Sequence, residues 1–237
     1  MSSLALKYSE LYFDHDLSRS LVNVKCFLCL DSCYRQAISW GDVCSLKVSL
    51  DNISKSINFH ETYPGIFLLP KRQGRHRNHQ WVLSRSAIIY GIKRLDFSGM
   101  DANKLGLSIS HSNDIAAVVI SGGHQRVGVD IENIKRTIAV DSIQRVLNLE
   151  DIKIFPVLDL WLLKEAVFKA CNGYISDLRA IVVVKKIKDS LYLAIAGSME
   201  FYVHLTTIND SFRISIAVEN RVPDSRNSTS LFDIKLL

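Results

Sequence analysis

The hydrophobic residues of the chain follow two different periods, which divide it into predicted helices and strands. Apolar residues at near-helical spacing predict a helix over residues 76–93. A second helix is predicted over residues 160–171, where Asn172-Gly173 would end it, and a shorter one over residues 141–149, with Asp141 as its N-cap. Apolar runs and alternation with a period of two predict strands. These cover residues 21–30, 43–50, 105–109, 115–120, 127–131, 181–187, 191–196, 201–206 and 212–218.

Composition narrows the class of protein. The 237 residues are 48% hydrophobic, which is enough for a substantial core. No apolar run approaches the ~20 residues that cross a bilayer, and the N-terminus lacks the order of a signal peptide, so we expect a cytoplasmic protein with no membrane partner. Five cysteines form an odd set, and the apolar surroundings of Cys26, Cys29 and Cys33 favour core thiols over metal ligands.

The net charge of +5 is modest, but much of the excess lies in residues 71–79, Lys-Arg-Gln-Gly-Arg-His-Arg-Asn-His. Such a basic segment favours phosphate groups. No aromatic stacking pattern or nucleic-acid-binding motif accompanies it, so a small polyphosphorylated ligand fits as well as a nucleic acid. An ordinary solvated basic surface is the third interpretation.

Two carboxylates stand on one face of a predicted strand. In Val127-Gly128-Val129-Asp130-Ile131-Glu132 the period of two places Asp130 beside Glu132, away from the apolar residues. Neighbouring like charges are unfavourable unless a cation neutralises them, and Mg²⁺ prefers oxygen ligands. The pair therefore suits a metal, although a solvated strand face would carry the same residues.

The predicted helix over residues 160–171 carries a second set of charged groups. At helical spacing Trp161, Glu165, Phe168 and Lys169 share one face, so a carboxylate and an ammonium can approach the same ligand. An exposed ion pair that stabilises the helix by a few tenths of a kcal/mol is the alternative.

A third segment ends a predicted strand with Ser110-His111-Ser112, a cluster that can hydrogen-bond phosphate oxygens. A single histidine is equally consistent with a structural or solvent-facing role.

These three segments, in this order and spacing, resemble the 4′-phosphopantetheinyl transferase superfamily. Ser110-His111-Ser112 is similar to its serine–histidine motif. Residues 128–132 match its Gly-Ile/Val-Asp-x-Glu, and residues 161–169 match its Trp/Phe-Ser/Cys/Thr-x-Lys-Glu-Ser/Ala-x-x-Lys, with Leu162 at the hydroxyl or thiol position. The match covers residues 105–173, with fainter similarity at residues 71–73, and the length favours the larger monomeric type of the siderophore and peptide-synthase branch.

The resemblance implies an α+β fold of two similar halves related by a pseudo-twofold axis. The halves would be residues 1–120, on the side of the coenzyme A 3′-phosphate, and residues 121–222, which would carry the metal ligands and the catalytic helix. Residues 223–237 would form a polar tail.

The resemblance also implies Mg²⁺-dependent transfer of 4′-phosphopantetheine from coenzyme A to a serine of an acyl- or peptidyl-carrier protein. The implied roles can be grouped by ligand. Asp130, Glu132 and Glu165 are metal ligands; Glu165, Lys169 and His111 are catalytic; and Lys71, Arg72, Ser110, His111, Lys164 and Lys169 bind coenzyme A. Glu165 would accept the serine proton, directly or through a metal-bound water. The carrier would dock near residues 133–149, including Lys135, Arg136 and Arg145.

Several points stay open at this level. The carrier could belong to a siderophore, polyketide, lipid or fatty-acid synthase, and Mn²⁺ could replace Mg²⁺. The adenine and ribose contacts are not assigned. A magnesium-dependent nuclease could also combine spaced carboxylates, a lysine and a basic cluster. A non-catalytic carrier-binding module is the third functional class.

Overall fold

The computed structural model describes residues 6–11, 24–31, 47, 75–95, 105–122, 126–146 and 155–220. Apart from Lys47, a single helical residue, the described residues form nine strands, three α-helices and one short 3₁₀ helix. In chain order they are β1 (Leu6–Leu11), β2 (Val24–Asp31), α1 (Arg75–Arg94), β3 (Gly106–Ser112), β4 (Ile115–Ser121), β5 (Val127–Asn133), α2 (Val140–Val146), α3 (Val157–Cys171), the 3₁₀ helix Leu178–Ala180, β6 (Ile181–Lys188), β7 (Leu191–Ala196), β8 (Met199–Ile208) and β9 (Phe212–Glu219).

The strands form two antiparallel sheets, so the protein belongs to the α+β class. The first sheet has the order β1-β2-β4-β3, and the second has the order β5-β9-β8-β7-β6. β3 is therefore an edge strand of the first sheet, and β5 is an edge strand of the second.

The two sheets share a hydrophobic core. In the first sheet Ala117 and Val119 of β4 face this core, and in the second sheet Val129 and Ile131 of β5 do so. The alternate residues of β4, including Val118 and Ile120, are also fully buried, and α1 packs against β2 and β4. A strand with both faces buried has a continuous run of apolar residues in its sequence, and residues 115–120 form such a run.

The opposite face of the second sheet packs against α3. Leu163, Ala166 and Val167 of the helix share a core cluster with strands β6–β9, for example with Phe201. Gly128 lets α3 approach β5 closely, because a Cβ at this position would collide with the backbone carbonyl oxygen of Ala166 and lie 2.6 Å from the amide nitrogen of Ala170. The glycine thus sets how near the helix comes to the polar side of β5.

Most predicted elements are confirmed, with small changes at their ends. α3 begins earlier than predicted, at Val157 directly after Pro156, and it ends as predicted at Asn172, which adopts the left-handed conformation at φ 46°. The prediction that Asp141 caps its helix is wrong, because Asp141 lies inside the first turn. There its charge is favourable to the helix dipole.

The N-terminal region differs from the sequence predictions at two places. The sequence did not predict β1, which pairs with β2 along its whole length. A strand was predicted over residues 43–50, but Lys47, the one residue described there, is helical.

Cys26 is fully buried, as expected of a core thiol, and burial raises its pKa. In the described part of the chain, no helix is both long and apolar enough to cross a membrane.

Candidate functional site

The edge strands β3 and β5 lie side by side, joined by serine hydroxyls. The serines recur every second residue of β3, and each hydroxyl accepts a hydrogen bond from a backbone N–H of β5. The bonds run from Val129 N to Ser108 Oγ (3.0 Å), from Ile131 N to Ser110 Oγ (3.3 Å) and from Asn133 N to Ser112 Oγ (3.3 Å). An edge strand presents unpaired N–H groups, so this serine ladder satisfies the free edge of β5.

Two of the ladder hydroxyls also hold the carboxylates of β5. Ser110 Oγ donates to Asp130 Oδ1 at 2.8 Å, and Ser112 Oγ donates to Glu132 Oε2 at 3.0 Å. A hydroxyl can do both because it carries one donor and two acceptor sites. The side chains of the first sheet therefore orient the acidic groups of the second.

Asp130 forms a partly buried ion pair with Lys169 of α3. The ammonium lies 2.7 Å from Asp130 Oδ1 and 3.1 Å from Ser110 Oγ, and the carboxylate side chain is only 6% exposed. Ser110 thus accepts from Ile131 and Lys169 and donates to Asp130, which uses its full hydrogen-bonding capacity. A phosphate oxygen could accept from Ser110 only by displacing Asp130, so these contacts favour a positioning role for this serine.

Glu132 is paired with Arg136, four residues further along the chain. The guanidinium of Arg136 lies above the ring of Trp161, 5.5 Å from its centroid. This stacking connects the segment after β5 with α3. Glu132 and its partner therefore close one side of the site.

Glu165 lies in a region that disfavours a negative charge. Burial raises the pKa of its carboxyl, and the charge of Asp130 raises it further, while Lys169 and Arg136 act in the opposite direction. A carboxylate with a raised pKa is a better proton acceptor near neutral pH. Glu165 is thus a suitable general base.

These groups surround one open cleft of about 500 Å³. β3, β5, α1 and α3 all contribute to its walls. The lining residues are Arg85, Ile109, Ser110, His111, Asp130, Glu132, Arg136, Trp161, Glu165 and Lys169. A neighbouring cleft shares His111, Glu132 and Arg136 with it and also contacts Lys135.

The structure brings most of the predicted site residues to this cleft. Asp130, Glu132, Glu165, Lys169 and the segment Ser110-His111 all line it, although they are separated by up to 59 positions in the sequence. His111 is exposed to solvent and borders both clefts.

Two other described residues of the predicted site, Lys164 and Phe168, do not line the cleft. Lys164 is fully buried, and its charge acts on Asp177, whose pKa is lowered first by hydrogen bonds from Arg179 and least by Lys164. Lys71 and Arg72 lie outside the described residues. Phe168, expected on the same face as Glu165, packs into the core of the second sheet.

The donor set fits a hard cation in its chemistry, but not as a preformed cluster. Among the residues described, no three His, Cys, Asp or Glu side chains are grouped so as to hold a metal. Asp130 Oδ2, however, is a buried oxygen with no hydrogen-bond partner in that part of the chain, and so is the hydroxyl of Ser215, its cross-strand neighbour on β9. Unpartnered buried oxygens are unfavourable, and a cation or a water would satisfy Asp130 Oδ2.

Sequence reasoning missed two features of the site. Arg85 lines the cleft from α1, whose apolar pattern and basic start predict a helix near anions but do not single out this position. The serine ladder was also missed, although the alternation of Ser108, Ser110 and Ser112 was a usable signal, since it has the same period as Asp130 and Glu132.

No protein-family model matches the chain, and no curated protein shows significant similarity to it.

Proposed function

We propose that this protein is a 4′-phosphopantetheinyl transferase, which converts apo carrier proteins to their holo form. The observation that supports this most is the common location of three separate motifs. Their acidic residues, Asp130, Glu132 and Glu165, line one cleft together with Lys169 and His111.

The proposed reaction is a phosphoryl transfer. The hydroxyl oxygen of a carrier serine attacks the phosphorus that bears the pantetheine group of coenzyme A. A new O–P bond forms, the P–O bond within the diphosphate breaks, and adenosine 3′,5′-bisphosphate leaves. Glu165 accepts the proton of the serine hydroxyl, directly or through one water.

Lys169 is suited to stabilise the phosphate oxygens. An ammonium has three N–H donors, and within the described structure two of those of Lys169 go to Asp130 and Ser110. The third can reach a ligand, because the side chain is 29% exposed at the cleft. His111, exposed at the rim, would contact a phosphate oxygen, and Lys71 and Arg72 are the residues proposed for the 3′-phosphate.

Asp130, Glu132 and Glu165 are the residues that would hold Mg²⁺ or Mn²⁺, and the bound ion supplies positive charge that stabilises the diphosphate during transfer. The unpartnered Oδ2 of Asp130 and the unfavourable environment of the Glu165 carboxylate support this assignment. Arg136 and Lys169 balance part of the same negative charge.

The proposal extends to the fold and the partner. Each sheet carries one long helix, α1 or α3, on the face away from the other sheet, which is consistent with two halves related by a pseudo-twofold axis.

Lys135 and Arg136, exposed after β5, would meet the acidic helix of the carrier. We propose a cytoplasmic monomer acting on a siderophore, polyketide, lipid or fatty-acid synthase.

The decisive test incubates the protein with coenzyme A, Mg²⁺ and a panel of apo carrier proteins, followed by mass spectrometry. We expect one carrier to gain the mass of phosphopantetheine, and Asp130→Ala to abolish the gain while circular dichroism stays unchanged. Glu200→Gln, at an exposed position on β8, is the matched acidic control and should remain active.

Failure on every carrier would refute the transferase. Degradation of DNA or RNA would favour the nuclease instead. Carrier binding that Glu165→Gln leaves intact, with no transfer by the wild type, would favour the non-catalytic module.

A further inference from the structure

Arg85 is a cation that reaches the cleft from the opposite side to Lys169. Lys169 projects from α3, against the second sheet, whereas Arg85 projects from α1, against the first sheet. Both line the same cleft, together with Asp130 and Glu165. A ligand between these walls would meet positive charge on two sides.

Contacts within α1 hold the guanidinium of Arg85 in place. It lies above the ring of Trp81, 5.3 Å from the centroid, and its Nη1 donates to Ser84 Oγ at 2.9 Å. The Ser84 side chain is itself fixed, since its hydroxyl lies 2.9 Å from the carbonyl oxygen of Gln80 and 3.0 Å from that of Trp81. A guanidinium oriented in this way loses little conformational freedom when it binds an anion.

Partial burial affects the charge of Arg85. It lowers the pKa of the guanidinium to about 10, which still leaves the group charged at neutral pH. A cation removed from water gains most from a negatively charged ligand, because the surrounding dielectric weakens their attraction less. Burial of Arg85 therefore strengthens its attraction to an anionic ligand in the cleft.

We propose that Arg85 is a phosphate-binding residue of the cleft and contacts the diphosphate of the donor from the α1 wall, opposite Lys169. This deepens the proposed function and rests on it, because the diphosphate is that of coenzyme A. Guanidinium groups suit this ligand, since their planar arrangement of N–H donors matches two phosphate oxygens at once.

The chain offers a matched control on the same helix. Arg94 also lies above an aromatic ring four residues earlier, at 5.9 Å from the centroid of Tyr90, but it is exposed and does not line the cleft. Arg94→Met therefore removes the same charge and the same kind of stacking without touching the proposed site.

The experiment titrates inorganic pyrophosphate, at a fixed Mg²⁺ concentration, into the wild type, Arg85→Met, Arg85→Lys and Arg94→Met, with the dissociation constant measured by isothermal calorimetry. We expect Arg85→Met to weaken binding by about 10-fold to 100-fold, as for the loss of a hydrogen bond to a charged group. Arg85→Lys keeps the charge without the planar fork and should lose less. Arg94→Met should stay within about twofold of the wild type, because screening makes exposed charges weak.

Stability provides a second measurement. Thermal melting shows whether Arg85→Met is folded, so that a loss of binding can be assigned to the missing guanidinium and not to unfolding. If Arg85→Met fails to fold, Arg85→Lys decides. An unchanged dissociation constant in the folded variant, equal losses for Arg85→Met and Arg94→Met, or no binding of pyrophosphate to the wild type would each overturn the inference.

The outcome is separable from that of the transferase assay. Arg85-dependent binding of pyrophosphate without transfer to any carrier would refute the proposed function and leave this site standing. Transfer that Arg85→Met leaves at the wild-type rate would refute the role of Arg85 alone.

Discussion

The strands β3 and β5 have the same length and the same alternating pattern, yet they contribute different chemistry to the site. Each has seven residues and forms the edge of its own sheet. β3 places neutral hydroxyls at every second position, whereas β5 places a glycine and two carboxylates there. The hydroxyls face β5, and the carboxylates face α3 and the cleft.

The difference shows why the site needs both sheets. Carboxylates only accept hydrogen bonds, so a second acidic strand could accept from the N–H groups of β5 but could not donate to Asp130 and Glu132, and it would repel their charges. Hydroxyls donate and accept, and Ser110 and Ser112 therefore satisfy the backbone and hold Asp130 and Glu132 at the same time. The first sheet thus orients the charges that the second sheet and α3 provide.

The largest effect is expected for β5, in the variant Gly128→Ala. The added methyl group would collide with the α3 backbone at Ala166 and Ala170, so the helix must move away from β5. We expect the free energy of unfolding to fall by about 3 kcal/mol, the upper range for overpacking, together with loss of activity. Urea denaturation measures it.

Gly173→Ala is the control for this substitution. Gly173 has φ 86° and open space around it, so an alanine there has only the cost of a left-handed backbone, about 1–2 kcal/mol. Equal destabilisation by the two variants would show that close approach of α3 is not required.

The second prediction, of intermediate size, concerns β3 and compares the variants Ser110→Ala and Ser108→Ala. Each leaves a buried N–H of β5 without its acceptor, so each should cost about 1–3 kcal/mol in urea denaturation. Only Ser110→Ala also releases Asp130 and Lys169. In the carrier assay we expect it to lower kcat of the proposed transfer by about 100-fold, as for a small misplacement of the groups proposed to be catalytic. Similar kcat values for the two variants would limit the ladder to a structural role.

The smallest effect concerns the charge of Glu165. Its pKa is higher in the folded protein than the ordinary value of 4.5, because of burial and then of Asp130. The folded state therefore binds this proton more tightly than the unfolded state, so the contribution of Glu165 to stability falls as the pH rises from about 4.5 through the raised value. Glu165→Gln should match the wild type below pH 4.5 and melt about 2 °C higher at pH 7.

Differential scanning calorimetry at the two pH values measures the difference, with Glu200→Gln, at an exposed position on β8, as the control. A Glu165→Gln variant that is less stable than the wild type at pH 7 would mean that Lys169 and Arg136 outweigh burial and Asp130.

Much of the secondary structure could be predicted because the spacing of apolar residues within one element already distinguishes a helix from a strand. The apolar run of residues 115–120 and the alternation in β5 are patterns of neighbouring residues, so the sequence shows these two strands directly. β1 was missed because its pairing with β2 is a tertiary event that Leu6–Leu11 do not signal strongly by themselves. The strand predicted over residues 43–50 was wrong at Lys47 because short apolar runs fit helix and strand alike.

The sequence by itself determined which groups stand side by side within one element. Asp130 lies next to Glu132 because a strand has a period of two, and Glu165 lies one turn from Lys169 because a helix has a period of 3.6. The tertiary structure alone decided which elements meet: Ser110 with Asp130 across two sheets, Lys169 with both, and Arg85 in the same cleft. The reason is physical, since hydrogen bonds, ion pairs and burial depend on distances that the packing of β3, β5, α1 and α3 sets.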